Sequence, residues 1–222
     1  MELKGKIIHF LGDSITEGVG VSHPDAIYHA RIKQMCGLAQ ANNFGISATR
    51  FARQRTPSIE PSYDRDFISR VGDLPLGADA VVVFGGTNDF GHGDAILGCM
   101  EDDSPYTFYG ACHQLFTSLL RRFPTIPIII VTPLHRQNEN VPALKTSADG
   151  THVDTPVLKT YVDIIKEVAA YYSLPVCDLY AYGGMYPELA EQREALCPDG
   201  LHPNDAGHWI LARKLASFLQ TV

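Results

Sequence analysis

Two segments of this chain, AVVVF at 80–84 and IIIV at 128–131, contain no polar residue. A strand with one face in water alternates apolar and polar side chains, so an unbroken β-branched run belongs to a strand covered on both faces. Parallel sheets sandwiched between helices supply that environment. The order of elements agrees: β-type runs at 7–11, 43–44, 80–84, 126–132 and 176–179 alternate with helical patterns at 27–41, 106–122, 156–172 and 205–219. The predicted fold is therefore α/β, with an internal parallel sheet. With no repeat or linker in 222 residues, the span 1–222 is expected to form one domain. The stretches 47–75 and 134–156 are polar and broken by Pro57, Pro61 and Pro142. Loops this long in a compact domain usually have a function.

Charge and cysteine usage remove several classes of function. With 18 Lys and Arg against 25 Asp and Glu, the net charge is -7, and no basic patch runs along the chain. Nucleic acid and anionic membrane surfaces are thus not expected partners. No stretch of roughly 18 apolar residues is present to span a bilayer. The opening MELKGKIIHFLGDS runs from a short apolar segment straight into a polar turn, unlike a secretory leader, so a cytoplasmic location is expected. The five cysteines, Cys36, Cys99, Cys112, Cys177 and Cys197, are odd in number and lack C-x-x-C spacing, which suits free thiols in a reducing compartment.

Open parallel sheets bind ligands at the carboxyl ends of their strands. Polar residues collect at those ends here: Gly12-Asp13-Ser14 after the first strand, Asn43 to Ser47 at the second, and Gly85-Gly86-Thr87-Asn88-Asp89 after the valine-rich run. A fourth cluster, Asp199 to Asn204, precedes the last helix. Ester hydrolysis needs a nucleophile, a base, a group that orients the base, and donors for the developing oxyanion. Ser14 can serve as nucleophile at a helix start, where partial positive charge favours an alkoxide. His202 can accept its proton, and Asp199, three residues earlier, can hold the imidazole. Asn88 offers a side-chain amide, and Gly45 a backbone N–H with no side chain in front of it.

The four clusters together resemble the SGNH, or GDSL-type, hydrolase family. Its blocks are matched in order by Phe10 to Gly18, Asn43 to Ser47, Gly86 to Asp89, and Asp199 to Pro203, over nearly the whole chain. The resemblance implies a three-layer α/β/α sandwich with a five-stranded, flavodoxin-like parallel sheet. It implies Ser14, Asp199 and His202 as catalytic residues, with Ser14, Gly45 and Asn88 as the oxyanion hole. No metal or cofactor is implied. Ala48 is a departure, standing where many members have another glycine. Asp13 and Asp89 are expected to bind backbone N–H groups rather than substrate. The resemblance implies an ester substrate of carbohydrate-acetate, lysophospholipid or thioester type; since no long apolar segment suggests a lipid lid, a small ester with a short acyl group, foremost acetyl on a carbohydrate, is expected, with a lysophospholipid or a thioester as the alternative.

Other residues carry weaker signals. His9, with its ring expected against a helix, and His23, His29 and His113 read as structural, whereas His92 could line a pocket. His135, Arg136 and His152 lie on the second long loop and could cap the site. Tyr106 and Tyr109 suit helix packing. Two rival functions fit some of the residues: a flavodoxin-like module holding a phosphate at residues 12–16, which Asp13 and Glu17 would oppose, and a metal-dependent phosphoesterase built from Asp13, Asp89, Asp199 and His202.

Overall fold

The computed structural model describes the backbone of residues 1–142, 144–146, 152–154 and 156–222, and the side chains of residues 1–142 and 156–222. In chain order the strands are β1 (Ile7–Gly12), β2 (Gln40–Gly45), β3 (Ala80–Phe84), β4 (Ile128–Val131), β5 (Leu144–Thr146), β6 (His152–Asp154) and β7 (Val176–Cys177). The α-helices are α1 (Ser14–Glu17), α2 (Tyr28–Cys36), α3 (Phe67–Arg70), α4 (Thr87–His92), α5 (Phe108–Arg122), α6 (Leu158–Tyr171), α7 (Leu179–Tyr182), α8 (Ala190–Leu196) and α9 (Asp205–Leu219).

Five strands form one parallel sheet in the order β2-β1-β3-β4-β7, the flavodoxin-like arrangement, and β5 and β6 pair as a short antiparallel ribbon. Each apolar run feeds two cores. Val81, Val83, Ile128 and Ile130 point to one face, against Phe108, Leu115 and Leu119 of α5 and Ile165 of α6. Ala80, Val82, Phe84, Ile129 and Val131 point to the other, against Tyr28 and Ile32 of α2 and Leu211, Leu215 and Leu219 of α9. This two-sided cover is why β3 and β4 have no polar position. No described helix is long and apolar enough to cross a membrane.

The register levels the strand ends. Gly12 lies opposite both Gly45 and Phe84, Phe84 opposite Val131, and Val131 opposite Cys177. Loops leaving β1, β2 and β3 therefore emerge side by side at one edge of the sheet.

Several boundaries differ from the sequence reading. The helix expected over 27–41 ends at Cys36, because Gly37 takes a left-handed conformation (φ 67°) and its N–H caps the Lys33 carbonyl. The following residues enter β2, an edge strand whose positions are half-buried or exposed, so its sequence lacks the apolar signature of β3. The stretch 47–75 is partly ordered into α3, whose cap is Asp66 accepting from Ser69 N–H at 2.9 Å. The last helix spans the expected residues, begun by Asn204, which accepts from Ala206 and Gly207 N–H.

Candidate active site

Asp13 caps α1 by accepting from Ile15 N–H at 3.0 Å, so Ser14 becomes the first helical residue as the chain leaves β1. The Asp13 carboxyl is fully enclosed. Burial pushes its pKa up to about 6, against opposing contributions from the Ile15 N–H, His202 and Arg70.

The loop before α9 reaches Ser14 from across the sheet. His202 Nε2 lies 3.0 Å from Ser14 Oγ, and His202 Nδ1 lies 2.6 Å from Asp199 Oδ2. The other Asp199 oxygen accepts from the N–H groups of Leu201 (2.9 Å) and His202 (2.7 Å). One carboxylate thus folds its own turn and orients the ring that the turn carries. Partial burial pushes the Asp199 pKa up, but these N–H donors together with the His202 ring outweigh it and hold the carboxyl below its usual range. With Asp199 taking the Nδ1 proton, Nε2 is left to accept from the Ser14 hydroxyl.

The β2 end behaves differently from expectation at Gly45. Its N–H donates to Asn43 Oδ1 at 2.8 Å, and a Cβ at this position would lie 2.1 Å from the Glu17 backbone nitrogen. Gly45 is therefore glycine so that α1 can lie against β2, and its N–H is taken by Asn43. The Ser14 cavity, about 280 Å³, is lined by Ser14, Val19, Ser47, Ala48, Asn88, Gly91, His92, Arg136, Leu201 and His202. The loop reaches it at Ser47 and Ala48, and Ala48 adopts a left-handed φ of 61°.

Three side chains hold this loop, and the sequence reading missed them. Glu17 accepts from Ser47 N–H at 2.7 Å and from the Ser47 hydroxyl. Arg70, on α3, donates to Thr49 Oγ1 at 2.9 Å while its other terminal nitrogen donates to the carbonyls of Gly12 and Phe44. Thr49 in turn donates to the Ile46 carbonyl at 2.7 Å. A buried arginine in a polar, proline-broken stretch has no local sequence signature.

Asn88, in the first turn of α4, donates one amide hydrogen to the Thr49 carbonyl at 3.0 Å, which leaves its second for the cavity. Asp89, next to it, accepts from Phe51 and Ala52 N–H, both at 2.9 Å. Asp13 and Asp89 are thus committed to backbone N–H groups, as expected of them. No group of three or more described His, Cys, Asp or Glu side chains is placed to hold a metal.

The remaining candidates divide. His92 and Arg136 line the cavity, while His135 turns to Glu139 (2.7 Å) and stacks on Tyr180. His9 packs on Phe44 and Phe123, and His29 is buried in α2 with Nε2 3.1 Å from the Thr16 carbonyl. The Tyr109 hydroxyl donates to Glu167 across α5 and α6, and Tyr106 lies under Arg55. The side chain of His152 falls outside the described residues.

Residues 10–210 match the model of the GDSL-like lipase/acylhydrolase family. The chain belongs to that family. The fold agrees with that of solved structures. A Lactobacillus plantarum protein is 31% identical over 98% of each chain, with a TM-score of 0.79. A member of the lipolytic G-D-S-L family from Veillonella parvula is 15% identical, over 97% of this chain and 98% of its own (TM-score 0.62). A mutant of a Geobacillus acetyl-xylooligosaccharide esterase is 23% identical, over 98% and 95% (TM-score 0.62). No curated protein matches. The chain is thus an ester hydrolase of the GDSL family with that family's α/β fold.

Proposed function

We propose that the chain, acting as one hydrolase domain, cleaves small carboxylic esters through an acyl-enzyme on Ser14. The observation that carries this reading is the continuous line Ser14 Oγ, His202, Asp199, with spacings of 3.0 and 2.6 Å. His202 takes the Ser14 proton as Oγ attacks the carbonyl, then gives it to the departing alcohol. Water, deprotonated by the same ring, attacks the acyl-enzyme and releases the acid while Ser14 recovers its proton.

Negative charge on the carbonyl oxygen needs donors in place before the reaction. The Ser14 N–H in the first turn of α1 and the second Asn88 amide hydrogen are two of them. The third is the Ala48 N–H in place of that of Gly45, since Ala48 lines the cavity and Gly45 is bound to Asn43.

The cavity supports a short acyl group. At about 280 Å³ it falls just below the roughly 300–1,000 Å³ of typical small-molecule sites, too small to hold a long lipid chain in one piece. Acetyl is the preferred group, and the Geobacillus structure makes an acetylated sugar a reasonable first substrate to try. A p-nitrophenyl ester series from acetate to decanoate tests both points. Acetate should be preferred, and Ser14→Ala should lower kcat by at least about 10³-fold. Wild-type rates in Ser14→Ala would end the serine mechanism.

A further inference from the structure

Arg136 is a cation in the Ser14 cavity that finds no anion among the described residues. Three arginines lie near the site, and their hydrogen bonding differs sharply. Arg50 pairs with Asp64 at 2.9 Å, and Arg70 spends its terminal nitrogens on three oxygens at 2.9–3.1 Å. Among the described residues, Arg136 makes two long bonds from Nη1 and no others from its side chain, both 3.3 Å, to the carbonyl and hydroxyl of Thr87. Its Nε is buried without a partner, no described residue accepts from Nη2, and among the described residues no carboxylate comes within 4.0 Å of the guanidinium.

The nearest acids are engaged elsewhere. Asp199 holds His202, and Asp13 caps α1. Glu139 accepts from the backbone N–H of Arg136 itself and contacts His135 and Tyr180. That carboxylate steadies the arginine's backbone and leaves its head free. The head is also given room. It lies over the Phe90 ring at 5.5 Å, and a Cβ on Gly91 would come within 2.8 Å of Nη1. Burial lowers the Arg136 pKa, against the pull of the surrounding acids. A desolvated, under-bonded guanidinium is costly to keep unless a ligand completes it. The partner that matches its two-pronged donor edge is a carboxylate.

We propose that Arg136 recognises a carboxylate on the substrate, so that the preferred esters carry an anionic group beside the scissile bond. This inference rests on the esterase reading of the Ser14 cavity and adds the substrate's charge to it. A neutral acetyl sugar would leave the arginine as it stands; an ester with a carboxylate on its acyl or alcohol part would complete it.

Two matched pairs of esters test the proposal and separate its two sources. For the acyl side, mono-4-nitrophenyl succinate is compared with 4-nitrophenyl butyrate; for the alcohol side, 4-acetoxybenzoate is compared with 4-acetoxybenzamide. The readout is the ratio of kcat/KM within each pair. The wild type should favour the anionic member of one pair, and Arg136→Met should lower that ratio roughly 10- to 100-fold, with Arg136→Lys recovering part of it. Equal ratios in wild type and Arg136→Met overturn the proposal. So does a wild type with no preference in either pair, a result that needs no variant to fold. Because the ratio does not depend on which residue is the nucleophile, its outcome is read separately from the Ser14→Ala rate.

Discussion

Arg70 Nη1 donates to the Gly12 carbonyl at 3.1 Å, at the point where β1 ends and the chain turns into α1. The same nitrogen reaches the Phe44 carbonyl of β2 at 2.9 Å, and Nη2 reaches Thr49 beyond it. One guanidinium therefore ties the nucleophile's strand to the loop that carries Ala48. Its charge is buried over the Phe67 ring, 4.4 Å away.

Arg70→Met should consequently be among the more damaging substitutions outside the cavity. It leaves the buried Gly12 carbonyl and the half-buried Phe44 carbonyl without their charged donor, which costs about 3 kcal/mol. For a chain of this size that lowers the melting temperature by roughly 6–12 °C. Thermal unfolding followed by circular dichroism measures it, and a shift under 2 °C would show that the staple is dispensable.

Gly45 and Ala48 should respond in opposite directions. A methyl at Gly45 would collide with the α1 backbone at Glu17, which cannot move without moving Ser14, so Gly45→Ala should lose stability together with activity. Ala48→Gly removes the left-handed strain of an alanine at φ 61°, and should stabilise by up to about 1 kcal/mol while turnover stays within a few-fold. Melting curves and p-nitrophenyl acetate kinetics on the two variants decide it. A Gly45→Ala enzyme that melts normally but turns over about 10²–10³-fold more slowly would return the oxyanion donor to Gly45.

These two positions show why the sequence revealed most of the site but not all of it. Ser14, Asn88, Asp199 and His202 stand at strand ends or beside a helix cap, where short motifs report local backbone geometry directly. In the sequence Gly45 reads as an open donor because it lacks a side chain. In the fold that missing side chain is the space α1 occupies, a fact about two segments 28 residues apart. Arg70, Glu17 and Arg136 likewise take their meaning from distant partners. The sheet shows the same division: β3 and β4, covered on both faces, have a plain sequence signature, whereas β2 at the edge carries polar residues, so the sequence marks it only at 43–44 and assigns its first two residues to the preceding helix.

A buried pair of histidines behind Ser14 gives the pH dependence of stability a definite sign. His29 Nε2 donates to the Thr16 carbonyl at 3.1 Å, and His208 Nδ1 accepts from the Tyr28 N–H at 3.1 Å. The opposite ring nitrogens, His29 Nδ1 and His208 Nε2, are buried without hydrogen-bond partners, so no acceptor stands ready for a second proton on either ring. Burial lowers their pKa values from 6.5 to about 4 for His29 and about 3 for His208. Between pH 6.5 and 4 the unfolded chain therefore takes up protons on these rings that the folded chain does not. Stability present at neutrality is lost as the pH falls through that window. Asp13 opposes them, because its folded pKa of about 6 exceeds the ordinary 3.8 and the folded chain gains a proton there first. Two histidines against one aspartate leave an excess of about one proton in the unfolded state, a loss of roughly 1.4 kcal/mol per pH unit between pH 6 and 4, and His9, lowered by burial too, adds to it in the same direction. Urea titrations from pH 7 to 4.5 should show this slope. The double variant His29→Gln, His208→Asn, which keeps a donor for Thr16 and an acceptor for Tyr28, should flatten or invert it. An unchanged slope in that variant would place the acid sensitivity elsewhere.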